Sequence, residues 1–494
     1  VSEADAAVVG SGPNGLAAAV VLAAAGLRVK VYEGAESPGG GCRTDELTLP
    51  GFRHDVCSAV HPLVAASGFF CRFGLARRGV RLIEPEVAYA HPLDGRHAAA
   101  AHGSVCDTAA DLGLDGAAYR RLFGPPARHL DDVAGTVLSS MRSVPPHPLR
   151  MAAFGALALR SATSVARRFE TEEARALFAG VAAHSMLRLD QPVTAGIGLF
   201  LGSLAHAVGW PVVEGGSAAV TDAMVEAVTS AGGEVVTGHR VRSLAELAPA
   251  RAVLLDVTPR ALLELAGDRL PAAYRRSLGR FRYGAGVCKV DWALEAPVPW
   301  RAEPCRRAAT VHLGGTFEEI ARSEADVAAG RHAEAPYVLV VQPGVVDPSR
   351  APAGRQTLWT YCHVPAGSDV DMTEAIAAQI ERFAPGFRDT VLARSSRTAA
   401  QMAAYNPNYP GGDISAGAQD LRQTFLRPAA RWNPYRTPLA GVYLCSSSTP
   451  PGPGVHGRCG ELAALSALRD VFGVREAPDL APRVPDGTPT APSR

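Results

Sequence analysis

Residues Ala6–Glu33 read AAVVGSGPNGLAAAVVLAAAGLRVKVYE, and this stretch decides the fold. It parses as a buried strand, a tight turn, an Ala-rich helix and a second strand. Gly10, Gly12 and Gly15 stand in the G-x-G-x-x-G spacing. Gly10 permits the turn, Gly12 lets backbone approach a pyrophosphate, and Gly15 lets the helix pack on the strand. Pro13 and Asn14 complete the loop, and the helix N-terminus turns free N–H groups and partial positive charge toward phosphate. Glu33 closes the second strand about 20 residues beyond the fingerprint, where a carboxylate holds ribose hydroxyls. The expectation is α/β, with a Rossmann-type dinucleotide-binding unit at the N-terminus.

Two further segments favour FAD over a nicotinamide cofactor. Gly39-Gly40-Gly41-Cys42-Arg43-Thr44 follows Glu33 closely and adds Gly40, Gly41 and Arg43 to the candidate cofactor contacts. The C-terminal run GVYLCSSSTPPGPGVHGRCGELAALSAL (Gly441–Leu468) reads as a strand over 442–445, a loop, and a helix from about Val455. That helix would point its N-terminus at the pyrimidine edge of an isoalloxazine, with Gly454 and Val455 at the contact. No second fingerprint follows a strand, so no separate NADPH domain is expected.

The chain has 494 residues, too many for one core, and two domains or one interleaved pair is the natural expectation. It is 47% hydrophobic and 20% charged with a formal net charge of +1, which gives no basic stripe for nucleic acid. The nine cysteines are scattered and none forms C-x-x-C, so neither a redox dithiol nor a metal site is expected, and a reducing cytoplasm fits best. The first strand begins within ten residues, so no signal peptide is expected. An uncharged stretch over 191–213 has the length of a membrane span, but its Gly, Pro and His206 fit a buried helix better. The Pro-rich segment from 476 to 494 is expected to be disordered.

At this point the chain resembles the FAD-dependent phytoene desaturase-like oxidoreductases of the flavin amine oxidase superfamily. Within them it is similar to the bacterial relatives of pyridine nucleotide-disulfide oxidoreductase domain-containing protein 2. The resemblance rests on VVGSGPNGLAAA, LPGFRHDVCSAVHPL (49–63), YNPNYPGGDI (405–414) and RWNPYRTPLAGVYLCSSSTPPGPGVHGRCG (431–460), and it runs from Asp5 to about Val474. It implies a discontinuous FAD-binding domain from 1–106, 208–280 and 432–475, with Val241 beside the adenine. A substrate domain of antiparallel sheet plus helices would take 107–207 and 281–431. By their own pattern, 107–207 is helical. Short strands are read at 234–236 and 240–242, a buried strand at 252–257, and longer strands at 287–294, 336–343 and 357–365. Where many members of the superfamily place Gly-Asp after the last strand, this chain has Ser446 and Ser447, and Ser447 is the expected replacement contact.

Hydride acceptance at flavin N5 needs an oriented substrate and sometimes a base, not a nucleophile, and neither G-x-S-x-G nor H-E-x-x-H is present. The resemblance places Lys289 near N5, and His456 at the start of the helix facing the ring. His54 and His61 follow the Gly40–Gly41 pair and titrate in a useful range. Trp359, Tyr361 and His363 alternate along one strand and so share one face, lining a pocket or simply packing. Tyr405, Asn406, Asn408 and Asp413 lie in a turn-rich loop at the expected pocket edge. Residues 148–169 carry Arg150, Arg160, Arg167 and Arg168 among apolar residues, a pattern that packs on its own domain or rests on a membrane.

The expected activity is FAD-dependent dehydrogenation of an apolar or amphipathic small molecule, with oxygen or a quinone as electron acceptor. The resemblance sets desaturation ahead of amine oxidation. A redox-neutral FAD-dependent isomerase and a non-catalytic flavoprotein remain as alternatives.

Overall fold

The computed structural model describes residues 4–140, 145, 147–247 and 249–482. A five-stranded, wholly parallel sheet holds the nucleotide-type unit, in the order 442–444, 252–255, 6–9, 29–32, 234–236. Ala6 pairs with both Val29 and Ala252. Segments far apart in sequence therefore flank the first strand, as the interleaved domain requires. Helix Pro13–Ala24 opens with Gly12 as N-cap and Pro13 in its first turn, and Asn14 through Ala23 are all buried. Such burial on every side is possible because the residues are small and apolar. The helix packs against helix Arg458–Ala467 so closely that a Cβ on Gly460 would stand 1.8 Å from the Asn14 carbonyl oxygen.

A second, seven-stranded sheet runs 391–397, 286–294, 356–364, 338–341, 310–313, 87–92, 98–102. All neighbours are antiparallel except 310–313 with 87–92. Period-two alternation divides its faces. Tyr89, Leu339, Trp359 and Tyr361 join the core beneath the helical segments of 105–207, whereas Ala90, Val340, Leu358 and Cys362 pack with helix Thr373–Phe383 on the other side.

Several expectations need correction. The hairpin of Val87–Pro92 and Ala98–His102 is hydrogen-bonded into the second sheet, so the boundary expected at 106 falls too late. Residues 240–242 form no strand, and the strand expected over 252–257 ends at Leu255, where the helix cap Thr258 takes over. The C-terminal helix begins at Arg458 rather than near Val455, because Gly457 adopts a left-handed conformation with φ 67°. Residues 148–169 divide into helices Pro148–Ala158 and Ala162–Ala166, separated by the capping Ser161. Part of the expected disordered tail is ordered: Leu480 is buried in the core around helix Pro13–Ala24, and its carbonyl accepts from Arg78. Residues 483–494 lie outside the described residues. The apolar stretch 191–213 contains helix Thr194–Ala207, and among the described residues no helix is long and apolar enough to cross a membrane.

Candidate active site

One continuous cavity of about 890 Å³ runs from the fingerprint loop to the second sheet. Its nucleotide-side wall holds Gly10, Gly12, Pro13, Asn14, Glu33, Gly40, Gly41, Arg43, Val241 and Ser447, with Gly454 and Val455 further along. Twelve of the thirteen expected cofactor contacts thus meet in one place. Gly15 is the exception and lies under the loop, where a Cβ would come within 2.0 Å of the Gly10 carbonyl oxygen. The 39–43 segment is strapped to the loop by the Gly39 N–H, which donates to the Ser11 carbonyl (3.0 Å). Gly40, with φ +56°, approaches so near that its Cβ would meet the Gly12 Cα at 2.8 Å. Only glycine fits that cradle.

Glu33 is held by the N–H groups of Ser11 (2.9 Å) and Ala35 (2.8 Å). Arg43 lies 3.5 Å from Glu33 and donates to the Tyr405 hydroxyl (3.0 Å) and the Ser37 carbonyl (2.7 Å). Three polar features suit a dinucleotide. The backbone of Val241 makes no hydrogen bond among the described residues. The Asn14 side-chain carbonyl is buried without a partner. Ser447 accepts from the Asn14 amide (3.2 Å) and keeps its own proton free to donate. Unsatisfied buried polar groups call for an explanation, and a bound ligand supplies one. These residues fit FAD, which supplies a hydride-accepting flavin N5 when bound.

Sequence reasoning missed Asp256. It follows strand Ala252–Leu255, lines the cavity, and accepts the Gly15 N–H (2.8 Å). Burial, with the charge of Glu33, outweighs that hydrogen bond and pushes its pKa to about 7.

The far half of the cavity is walled by His61, His184, Phe200, Trp210, Trp359 and Tyr361, with Met186, Ile197, Leu201 and Leu339 between them. None of these carries a formal charge at neutral pH. Burial depresses the His61 pKa to about 4. The Ser217 hydroxyl donates to the Ser58 carbonyl, so Ser217 can only accept from His61 Nε2 (2.8 Å), and Nδ1 of His61 is left as the bare acceptor.

The other candidates stand elsewhere. His456 is fully buried and engaged at both nitrogens: Nε2 donates to the Gly452 carbonyl (3.1 Å), and Nδ1 accepts the Arg458 N–H (3.1 Å). It orders the loop and does not line the cavity. Lys289 is buried in an ion pair with Asp291, 5.6 Å from the Trp359 ring centroid, and it too is absent from the wall. His363 shares the face of Tyr361 but sits behind it, donating from Nδ1 to Glu324 (2.8 Å). His54 is likewise buried outside the wall, against the Thr48 hydroxyl (2.8 Å). Tyr405, Asn406 and Asn408 do form the cavity edge. Asp413 instead anchors its loop by accepting from the N–H groups of Gly284, Ser415 and Gly417.

Comparison with known proteins agrees with this geometry. Residues 8–70 match the NAD(P)-binding Rossmann-like domain. The chain is 25% identical to rat pyridine nucleotide-disulfide oxidoreductase domain-containing protein 2, across 95% of this chain and 94% of that one. It is 28% identical to the all-trans-zeta-carotene desaturase of Myxococcus xanthus, across 45% and 41%. Among solved structures, an oxidoreductase from Methanosarcina mazei superposes with a TM-score of 0.63 at 17% identity, covering 94% of this chain and 99% of that one. A single-site variant of putrescine oxidase gives 0.61 at 19%, covering 94% and 99%. The chain is therefore similar along nearly its whole length to pyridine nucleotide-disulfide oxidoreductase domain-containing protein 2 and along part of it to a carotene desaturase, and it shares its fold with oxidoreductases such as putrescine oxidase.

Proposed function

We propose that this protein desaturates an apolar or amphipathic small molecule, with a C–H hydride passing to FAD and oxygen or a quinone restoring the oxidised cofactor. The observation that carries this reading is the character of the far half of the cavity. It is continuous with the cofactor site and mostly aromatic or aliphatic; its polar members besides the histidines are Ser415 and Gln419, beside Met186 and His184, and no Asp, Glu, Lys or Arg is among the residues that wall it. An amine protonated at neutral pH would find no carboxylate there, which favours C–H over C–N oxidation. Phe200, Trp210 and Trp359 supply flat apolar surface to hold an extended chain in place.

Supply of an apolar substrate suits a membrane surface, and we extend the proposal to peripheral contact through helix Pro148–Ala158. That helix buries none of its residues, Leu149 is 86% exposed, and Arg160 borders the apolar run, while Arg150 within it is paired with Asp132 (3.0 Å). It packs on helix Thr194–Ala207, which carries Ile197, Phe200 and Leu201 into the cavity wall. Apolar side chains beside arginines match an anionic bilayer surface.

The test is anaerobic bleaching of the flavin by a panel of isoprenoid hydrocarbons, isoprenoid alcohols and aldehydes, and primary amines. Bleaching by an isoprenoid, with a product lacking two hydrogens, supports the proposal. Bleaching by amines alone, or turnover without acceptor consumption, overturns it.

A further inference from the structure

Behind the cavity wall two histidines meet through like nitrogens. Helix Glu172–Ala182 runs into a short turn that sets His184 in the wall, and strand Thr310–Leu313 sets His312 in the core behind it. Their Nε2 atoms are 3.0 Å apart. Burial holds both pKa values down, His184 to about 3 and His312 further, so both rings are neutral and each carries one N–H. One Nε2 must donate and the other accept.

The surroundings of His312 choose between the two arrangements. Its Nδ1 is fully enclosed and has no partner. The ring is packed between Tyr89 and Tyr337, at centroid distances of 5.2 and 6.2 Å. The Tyr337 hydroxyl is committed to the Gly180 carbonyl (2.9 Å), and His91 donates from Nε2 to the Gly315 carbonyl (2.7 Å). A proton on His312 Nδ1 would be a buried donor without an acceptor, which native structures avoid more strictly than a bare acceptor. His312 therefore keeps its proton on Nε2 and donates to His184. His184 accepts at Nε2 and carries its own proton on Nδ1. That Nδ1 makes no hydrogen bond among the described residues, is not enclosed, and belongs to a ring that lines the cavity.

We propose that His184 is a substrate-binding hydrogen-bond donor, fixed in that role by His312 as its positioning residue, and that the substrate carries a carbonyl oxygen at the end that reaches the second sheet. This rests on the reading of the far half of the cavity as the substrate chamber, and it narrows that reading from apolar molecules in general to oxygenated ones. A pure hydrocarbon would leave the donor unpaired in a mostly apolar wall, whereas a carbonyl would satisfy it.

Two measurements on the FAD-loaded protein test this. Histidine ¹⁵N NMR reads the tautomer directly: His184 is expected protonated at Nδ1 and bare at Nε2, and the reverse pattern overturns the proposal. His312→Gln, whose amide can still donate, should keep the pattern, and His312→Leu should lose it. Second, tryptophan fluorescence titrations compare farnesal with farnesene, which share a chain and differ in the carbonyl. The wild type should prefer farnesal by about tenfold, the worth of one neutral hydrogen bond. His184→Phe should abolish the preference while still binding farnesene. Equal weakening of both probes in that variant, or no preference in the wild type, overturns the proposal. A protein that takes up no FAD defeats the proposed function instead, and the tautomer pattern still decides the histidine pair.

Discussion

Asp256→Asn is the most informative single substitution. The carboxyl of Asp256 sits under the fingerprint loop, where it accepts the Gly15 N–H at 2.8 Å, and a Cβ on Gly12 would come within 2.8 Å of its Oδ2. Burial and the charge of Glu33 raise its pKa from 3.8 to about 7. The folded protein therefore holds this proton after the unfolded chain has released it. A raised carboxyl pKa means that ionisation costs the fold, so stability from this group is full below about pH 4 and falls as pH rises toward 7, then levels. The total is about 4 kcal/mol, at roughly 1.4 kcal/mol per pH unit over that interval. Asn keeps an acceptor for Gly15 and never ionises. Urea unfolding of both proteins, followed by tryptophan fluorescence at several pH values from about 4 to about 8, should show the variant gaining stability over wild type by about 4 kcal/mol across the window. A wild-type-to-variant difference that stays constant from about pH 4 to about pH 8 would refute the reasoning.

Other substitutions separate scaffold from site. Lys289→Met leaves Asp291 buried without its cation and should cost about 3–5 kcal/mol in unfolding measurements, with flavin reduction and reoxidation rates unchanged, since Lys289 is outside the cavity wall. Arg350→Met strands Asp55, which holds the Ser217 N–H and the Thr44 hydroxyl, and a comparable loss of about 3–5 kcal/mol is expected by the same assay. Gly40→Ala combines a left-handed backbone, worth about 1–2 kcal/mol, with a Cβ driven against Gly12; equilibrium dialysis should show weaker FAD retention, and unchanged retention would contradict the cradle.

How much of this was legible in the sequence depends on the range of the interaction. The fingerprint, the Gly40–Arg43 segment and the Ser447–Val455 loop could be read because each is a local backbone device with its own residue signature, and all reach one cavity. Trp359, Tyr361 and His363 share a face, as period two demands, but depth is not local: Tyr361 reaches the cavity and His363 is stopped behind it. Lys289 and His456 were candidates by resemblance, yet a buried carboxylate claims one and a loop carbonyl the other. Asp256 and His184 carried no readable signal. Asp256 matters because strand 252–255 lies next to 6–9, and His184 because its turn meets strand 310–313; both are facts of sheet order and packing rather than of spacing. The hairpin 87–102 was assigned to the wrong domain for the same reason.

Everything above depends on FAD binding in the cavity between the two sheets. That binding is tested most directly by the visible absorption spectrum of the purified protein, followed by acid release and identification of the chromophore. A flavin spectrum and free FAD in the supernatant are expected. A colourless protein that takes up no added FAD would contradict it.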